Sequence, residues 1–139
     1  VNRCRYQGYE EAYRKGKRKL NQDLVYTDLS SKAMVEKAVE ELKKSGVECI
    51  LCQDDYICDE AVRKLSHMGV RIPDQMKVAS CHYSRILENY PVTVTSLKFN
   101  ITELGRRSCQ VLLDMIHGKT VPDKTLLDYE IILKESTKG

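Results

Sequence analysis

The stretch from Val47 to Tyr83 constrains the fold of this chain more than any other feature. It begins with a short, mostly apolar run over 47–52, which predicts a strand that is buried on both faces. An amphipathic stretch follows over 56–68, and Gly69 is placed to end it as a helix. A second apolar run over 76–81 predicts another strand. The pattern is that of one β-α-β unit.

Polar side chains follow both predicted strands at their carboxyl ends. Asp54 and Asp55 come directly after the first strand, and His82 follows the second. The carboxylate of Asp55 suits the N-cap of the intervening helix, because it can accept a hydrogen bond from the first free backbone N–H groups. Ligands of open α/β sheets bind outside the carboxyl ends of the strands. We therefore expect any pocket to lie near Asp54 and His82.

The same alternation continues on both sides of this unit. Further helices are predicted over 6–16, 32–45 and 101–117, a helical turn over 84–89, and further strands over 23–27, 92–97 and 126–133. Repeated strand–helix alternation with short connections predicts an α/β fold with a doubly wound, mainly parallel sheet and helices on both faces. Such a domain normally begins with a strand, whereas a helix comes first here. We therefore expect a further strand upstream of that helix.

Composition excludes several classes of protein. A length of 139 residues allows one domain or part of one. The net charge of +3 is too small to indicate binding to nucleic acid or membranes, and no apolar run approaches the roughly 20 residues that span a bilayer. The first residues are polar and do not resemble a signal peptide. Six irregularly spaced cysteines fit a reducing cytosol better than a disulfide scaffold.

Catalytic and metal-binding chemistry finds little support in the sequence. Cys49 and Cys52 have the spacing of a redox pair, but residues i and i+3 of a strand point to opposite faces. A zinc site built on these cysteines would lack a second ligand pair at metal spacing. No glycine-rich phosphate loop or nucleophile elbow is present. We therefore expect neither an enzyme nor a bound cofactor or metal.

Short motifs along the whole chain resemble a known family. The segment Arg5–Ala12 matches the pattern R-x-x-G-[FY]-x-x-A. The segment Leu65–Gln75 is similar to the pattern L-x-x-x-G-x-x-[VI]-P-x-D, with Gln75 in place of the final aspartate. Their order and spacing resemble the effector-binding domain of LacI/GalR-family transcriptional regulators, which has the type I periplasmic-binding-protein fold. The segments that carry the resemblance are Arg5–Ala12, Ile50–Asp55, Leu65–Gln75, Val94–Leu97, Leu104–Arg107, Ile116–Lys119 and Leu133–Ser136.

The resemblance implies a division of the chain. Residues 1–98 and 126–139 would form the C-terminal subdomain of the sensor, with its first strand missing upstream. Residues 99–125 would form a crossover and a helix that belongs to an absent N-terminal subdomain. We expect the apolar stripe of this helix to be covered by another copy of the chain or by rearrangement, because exposed patches of that size favour association.

The resemblance also implies four effector-binding residues. Arg5 matches the family arginine that holds sugar hydroxyls or carboxylates, and Asp54 matches an asparagine at the strand tip. His82 stands where the family has a binding aspartate, and Phe99 replaces a glutamine. Each also has a structural interpretation: a surface arginine paired with a nearby glutamate, a second helix cap, a loop histidine and a core aromatic. The departures at His82 and Phe99 leave open a sugar, an anionic or aromatic ligand, or no ligand.

The function implied is that of a cytoplasmic bacterial regulator. A small, sugar-like effector would alter DNA binding by an absent helix-turn-helix domain, and a homodimer would form through the helix at 56–68 and the segment 88–94. No membrane association is expected. A solute-binding protein of the same fold, serving a sugar transporter, is an alternative. An α/β domain without a ligand is another.

Overall fold

The computed structural model describes residues 2–138. Within this range, the helices and strands follow the order that the apolar periodicity predicts, except that no strand forms over 23–27. The helices are α1 (Asn2–Lys15), α2 (Lys32–Lys44), α3 (Asp55–His67) and α4 (Ile101–Ile116), and the strands are β1 (Cys49–Cys52), β2 (Lys77–Ser80), β3 (Thr95–Phe99) and β4 (Tyr129–Ile132). Short 3-10 helices lie at Gln22–Leu24, Arg85–Glu88 and Glu135–Thr137.

The four strands form one sheet in the order β1-β2-β3-β4. Strands β1 and β2 run parallel, with Cys52 opposite Ser80, and β3 runs parallel to β2 with Ser96 opposite Ser80. Strand β4 joins β3 antiparallel. The prediction of a mainly parallel α/β sheet is therefore confirmed. Because β1, β2 and β3 point the same way, their carboxyl ends share one edge of the sheet.

Polar caps fix where the helices begin. Asp54 has an extended backbone, and its Oδ1 accepts a hydrogen bond from the Ile57 N–H at 2.8 Å. The expectation that Asp55 caps this helix was wrong by one position, because Asp55 is already the first helical residue. Asn100 caps α4, since its Oδ1 accepts a hydrogen bond from the Glu103 N–H at 3.0 Å. Gly69 ends α3 with a positive φ of 68°, which confirms its role as the residue after the C-cap.

The core lies between the sheet and one pair of helices. Helices α2 and α3 pack against each other, α3 packs against β1 and β2, and the Lys64–Glu40 ion pair joins the two helices at the surface. Full burial of a valine, leucine or methionine side chain in such a core contributes about 1.5–3 kcal/mol to the free energy of folding. The fully buried apolar residues of this cluster include Val35, Val39, Cys58, Leu65, Met76, Val78, Leu87 and Val94.

Three strand predictions needed correction, one of them because the strand predicted over 126–133 spans only Tyr129–Ile132. Residues 23–27 do not form a strand, because part of this segment is the 3-10 helix and the rest has no strand beside it within residues 2–138. The strand predicted over 92–97 begins only at Thr95. Its start is set by Ser136, whose hydroxyl accepts from the Thr95 N–H at 2.9 Å and donates to the Val78 carbonyl at 2.6 Å. The hydroxyl therefore sits between β2 and β3 where their pairing starts.

Helix α4 confirms the predicted element, but none of the other helices and strands within residues 2–138 packs closely against it. None of its residues is buried, and the apolar stripe is exposed to solvent at Leu104, Leu112 and Met115. Strand β4 likewise leaves Tyr129 and Ile131 exposed. In the part of the chain that the structure describes, no helix is both long and apolar enough to cross a bilayer. The assignment of 99–125 to another subdomain stays a prediction.

Candidate functional site

The candidate site lies where β1 and β2 end side by side. The Cys81 N–H donates to the Cys52 carbonyl at 2.8 Å, so the pairing continues one residue past the end of β2. The segments 53–55 and 81–83 therefore leave the sheet next to each other. This is the edge at which open α/β sheets bind ligands.

Arg5 reaches this edge from the first turns of α1. Its Nη1 donates to the Gln53 carbonyl at 2.8 Å, across 48 positions of sequence. The same guanidinium lies near Cys81, where burial raises the pKa of the thiol and the positive charge of Arg5 opposes that rise. The arginine thus bonds to the segment after β1 and lies near the end of β2. One of its five N–H donors is used by Gln53.

Asp54 faces the same edge from the start of α3. Its Oδ1 is engaged by the Ile57 N–H, and Oδ2 accepts no hydrogen bond from residues 2–138. The structural interpretation of Asp54 as a helix cap is therefore correct for one oxygen. The second oxygen remains free to accept a ligand hydroxyl.

His82 is held in a fixed turn beside Asp55. The Ser80 hydroxyl donates to the His82 carbonyl at 2.9 Å, and the His82 N–H donates back to that hydroxyl at 3.2 Å. The imidazole Nδ1 lies 3.3 Å from Asp55 Oδ1. Burial alone would raise the pKa of the Asp55 carboxyl, but the polar groups around it, His82 among them, bring that pKa below its ordinary value. Asp55 is therefore charged at neutral pH and orients the imidazole.

Phe99 lies further out along the same edge. It is the last residue of β3, three positions beyond Ser96, which is level with Ser80. Three residues of strand place it about 10 Å past the tip of β2. Its ring is 38% exposed and it pairs with Tyr129 of β4. The structure thus brings Arg5, Asp54 and His82 to one edge and leaves Phe99 beyond them.

A charged aromatic cluster adjoins His82 and was not predicted. Tyr83 donates from its hydroxyl to Glu88 at 3.0 Å, and Lys134 Nζ donates to the same carboxylate at 2.9 Å. The Lys134 and Lys98 ammonium groups lie 5.2 and 5.9 Å from the centre of the Tyr83 ring. Tyr83 and Lys134 are 51 positions apart in the sequence, so no local motif indicates this cluster.

A large cavity opens behind Arg5. It has a volume of about 1130 Å³ and lies between α1, α2, the segment 25–30 and the free side of β1. Arg5, Gln53 and Cys81 line one end of it, whereas Asp54, His82 and Phe99 do not line it. The cavity and the candidate site therefore share only the Arg5 end.

Cys49 and Cys52, the two cysteines at redox-pair spacing, have the properties of structural thiols. All six are free. A hydrogen bond from Cys58, together with burial, holds the pKa of the Cys52 thiol well above its ordinary value, and burial raises that of Cys49. Thiols in this state are poor nucleophiles at neutral pH. Among the described residues, no group of three or more His, Cys, Asp or Glu side chains is arranged to hold a metal ion.

A mainly parallel sheet with polar side chains at its carboxyl edge is typical of α/β domains that bind ligands at that edge. The periplasmic binding protein-like domain family matches this chain over residues 1–137. The chain belongs to this family, in the form found in LacI-type transcriptional regulators.

Curated relatives have the names of transcriptional regulators and not of enzymes. The HTH-type regulator CelR of Thermobifida fusca is 27% identical over 135 residues, which are 95% of this chain and 40% of CelR. The repressor PurR of Haemophilus influenzae is 26% identical over 157 aligned residues, which cover 99% of this chain and 43% of PurR. The chain thus spans about two fifths of the length of these relatives.

Solved structures show the same fold. The regulator CcpA of Lactococcus lactis superposes with a TM-score of 0.90 at 24% identity, covering 99% of this chain and 51% of CcpA. A complex of the regulator CelR with cellobiose superposes with a TM-score of 0.84 at 26% identity, covering 95% of this chain and 41% of that protein. The fold predicted from the sequence is therefore confirmed.

Proposed function

We propose that this chain is the effector-sensing part of a LacI-type transcriptional regulator and binds a sugar-like effector at the carboxyl edge of its sheet. The observation that carries the proposal is the meeting of Arg5, Asp54 and His82 at that edge, from three separate elements. Relatives that are named as regulators support this assignment over a role in transport.

The three side chains suit a ligand rich in hydroxyl groups. Arg5 offers the N–H donors that Gln53 does not use, and Asp54 Oδ2 can accept from one or two neighbouring hydroxyls. The free nitrogen of His82, Nε2, is available for one more hydrogen bond, because Nδ1 faces Asp55. Phe99 can stack on the apolar face of a larger ligand. Together they supply donors and acceptors in the mixture that a sugar requires.

Charge favours a neutral ligand over an anionic one. Two carboxylates, Asp54 and Asp55, stand beside one guanidinium at this edge. The pKa of Asp55 is below its ordinary value, so it stays ionised and would repel a phosphate or carboxylate. A neutral oligosaccharide such as cellobiose, which the related CelR binds in its solved complex, is the first candidate.

Sensing requires a second subdomain that contacts the effector from the opposite side. In the proposed arrangement a partner subdomain closes over the edge, with residues 99–125 crossing into it and the exposed stripe of α4 packing there. The effector can change the relative orientation of the two subdomains only if it has different affinities for the two arrangements. No catalysis is involved.

The change caused by the effector would reach the DNA-binding domain through a dimer. We infer that α3 and the segment 88–94 form the homodimer contact and that a helix-turn-helix domain reads the operator in the cytoplasm. Reading the coding sequence upstream of this chain tests this inference. A helix-turn-helix domain is expected there, and a secretion signal in its place would overturn the regulator assignment.

Calorimetry of the intact regulator tests the effector site. Cellobiose, glucose and glucose 6-phosphate are titrated into the wild type, Arg5→Ala and Arg71→Ala. Arg71 is a matched control, since it is an exposed arginine paired with Asp74 in a turn after α3. A hydrogen bond to a charged group contributes about 1.5–3 kcal/mol, so Arg5→Ala should weaken binding about 10- to 150-fold. Equal affinity in all three proteins, or no binding of any neutral sugar, would contradict the proposal.

A further inference from the structure

The short segment that carries His82 is anchored to the strands on both sides of β2. The Cys81 N–H donates to the Cys52 carbonyl of β1, and the Tyr83 N–H donates to the Leu97 carbonyl of β3, each at 2.8 Å. The segment therefore continues the pairing of β2 past its end. His82 lies between these two anchors, so the groups that hold Tyr83 in place also set the position of His82.

The side chain of Tyr83 is held by charged groups at its ring and at its hydroxyl. The ammonium groups of Lys134 and Lys98 lie 5.2 and 5.9 Å from the centre of the ring. An ammonium group within about 6 Å of an aromatic ring is attracted to the negative face of the ring. The Tyr83 hydroxyl donates to Glu88, and Lys134 donates to the same carboxylate. These two hydrogen bonds lower the pKa of Glu88, which keeps it charged at neutral pH.

The two lysines are themselves fixed to the neighbouring strands. Lys98 lies on β3, and Lys134 follows β4, which pairs with β3. The Lys134 N–H donates to the Thr95 hydroxyl at 2.8 Å, so its backbone is tied to the start of β3. The side chain of Lys134 is only 16% exposed, which limits its freedom to leave the ring. The contacts therefore tie Tyr83 to the β3–β4 pair and not to a mobile part of the surface.

His82 depends on this support. Its imidazole is 38% exposed and lies 3.3 Å from Asp55, so the place from which it reaches a ligand is set by the backbone on either side. Binding side chains must be held within about 0.5 Å of the productive geometry. We propose that Tyr83 is a positioning residue for effector binding, which holds His82 at the carboxyl edge of the sheet through its contacts with the two lysines. This inference rests on the proposed function, because His82 belongs to the proposed effector site.

Hydrogen exchange in the intact regulator, followed by NMR, tests the positioning step. Lys98→Met and Lys134→Met remove the ammonium groups, and Lys124→Met, at an exposed position after α4, is the matched control. Each of the first two should accelerate exchange of the Tyr83 amide about two- to fivefold, as expected for loss of an exposed cation–π contact. The Cys81 amide should exchange at one rate in all four proteins, which shows that the sheet remains folded. Unchanged exchange at Tyr83 in both variants would overturn the proposal.

Calorimetry of the intact regulator with cellobiose and glucose tests whether Tyr83 acts through His82. His82→Ala should weaken sugar binding about 2- to 10-fold, because it removes one hydrogen bond. Tyr83→Leu should weaken binding at least twofold, and Tyr83→Phe, which keeps the ring, should weaken it less. When His82 is already alanine, the further change Tyr83→Leu should have almost no effect, because the side chain that Tyr83 positions is absent.

The possible failures point to different errors. Additive losses for His82→Ala and Tyr83→Leu would assign Tyr83 a structural role that is independent of His82 and would refute the proposal. Wild-type affinity in Tyr83→Leu would refute it as well, and both results would leave the proposed effector site standing. Absence of binding of either sugar by the wild type would refute the proposed function and this proposal together.

Discussion

Asp54 caps α3 through one carboxylate oxygen and is proposed to hold an effector hydroxyl with the other, and two substitutions separate these roles. Asp54→Ala removes both. Asp54→Asn keeps a side-chain oxygen for the Ile57 N–H, because asparagine is as good an N-cap as aspartate. It removes only the charge. Asparagine is also the residue that the family resemblance places at this position.

The expected change in stability follows from the capping geometry. Loss of an N-cap costs about 1 kcal/mol, within a range of about 0.5–2 kcal/mol. For a domain of this size, 1 kcal/mol corresponds to about 3–5 °C in Tm. Asp54→Ala should therefore lower Tm by that amount. Asp54→Asn should lose only the smaller interaction of the carboxylate with the helix dipole, about 0.3–1 kcal/mol.

Urea unfolding followed by circular dichroism, together with effector calorimetry, distinguishes the two roles. Asp54→Asn should stay near the wild type in stability and lose about fivefold in sugar affinity, since a neutral hydrogen bond is about 1 kcal/mol weaker than a charged one. Asp123→Ala, in an exposed loop, is the matched control. The reasoning fails if Asp54→Ala unfolds at the wild-type urea concentration, or if neither substitution at Asp54 changes the affinity.

Three further predictions concern the fold. Ser136→Ala leaves the Thr95 N–H and the Val78 carbonyl unpaired in the core, so it should lower the free energy of unfolding in urea by about 2–6 kcal/mol. The control Ser66→Ala, at an exposed position, should lower it by less than about 0.5 kcal/mol. Equal values for the two variants would refute the bridging role of Ser136. Leu65→Ala should lower the free energy of unfolding by about 2–5 kcal/mol, whereas Met115→Ala, at an exposed site, should change it little. A larger loss for Met115→Ala than for Leu65→Ala would contradict the packing described for the core. Two neighbouring arginines lower the pKa of Glu103 to about 2, so its stabilising contribution is present above about pH 4.5 and is lost as the pH falls to about 2. A carboxyl titration by NMR with a midpoint near 4.5 would refute this, and Glu103→Gln should abolish that part of the pH dependence.

The sequence predicts the β-α-β unit well because its signals are local. Apolar runs, a cap and a closing glycine lie within 37 positions between Val47 and Tyr83. Asp55 was wrongly predicted as the cap because both positions carry aspartate, which suits an N-cap equally well at either position. Only the backbone conformation decides, and that depends on where β1 stops.

Strand boundaries depend on partners that a local pattern does not contain. The start of β3 is set by Ser136, 41 positions further along the chain. The strand expected over 23–27 has suitable side chains, but a strand forms only against a neighbour. In both cases apolar periodicity was present and the missing information was the pairing partner.

The β-α-β pattern predicts the edge at which Asp54 and His82 lie, whereas Arg5 could be predicted as a site residue only through the family resemblance. Arg5 and Gln53 are 48 positions apart, and nothing local in either segment indicates their contact. The order of strands brings the residues after β1 and β2 together, which the β-α-β pattern does predict. The contacts of His82 with Asp55, and of Tyr83 with Lys134, required the structure.

The most direct test of the proposed effector site is to map cellobiose binding on the intact regulator by NMR. Amide signals of residues 53–55 and 81–83 should shift on titration, and those of α4 residues facing away from the edge should not. The same titration on Arg5→Ala should need at least tenfold more sugar. Saturating shifts confined to other parts of the chain, with 53–55 and 81–83 unmoved, would show that the carboxyl edge of the sheet is not the effector site.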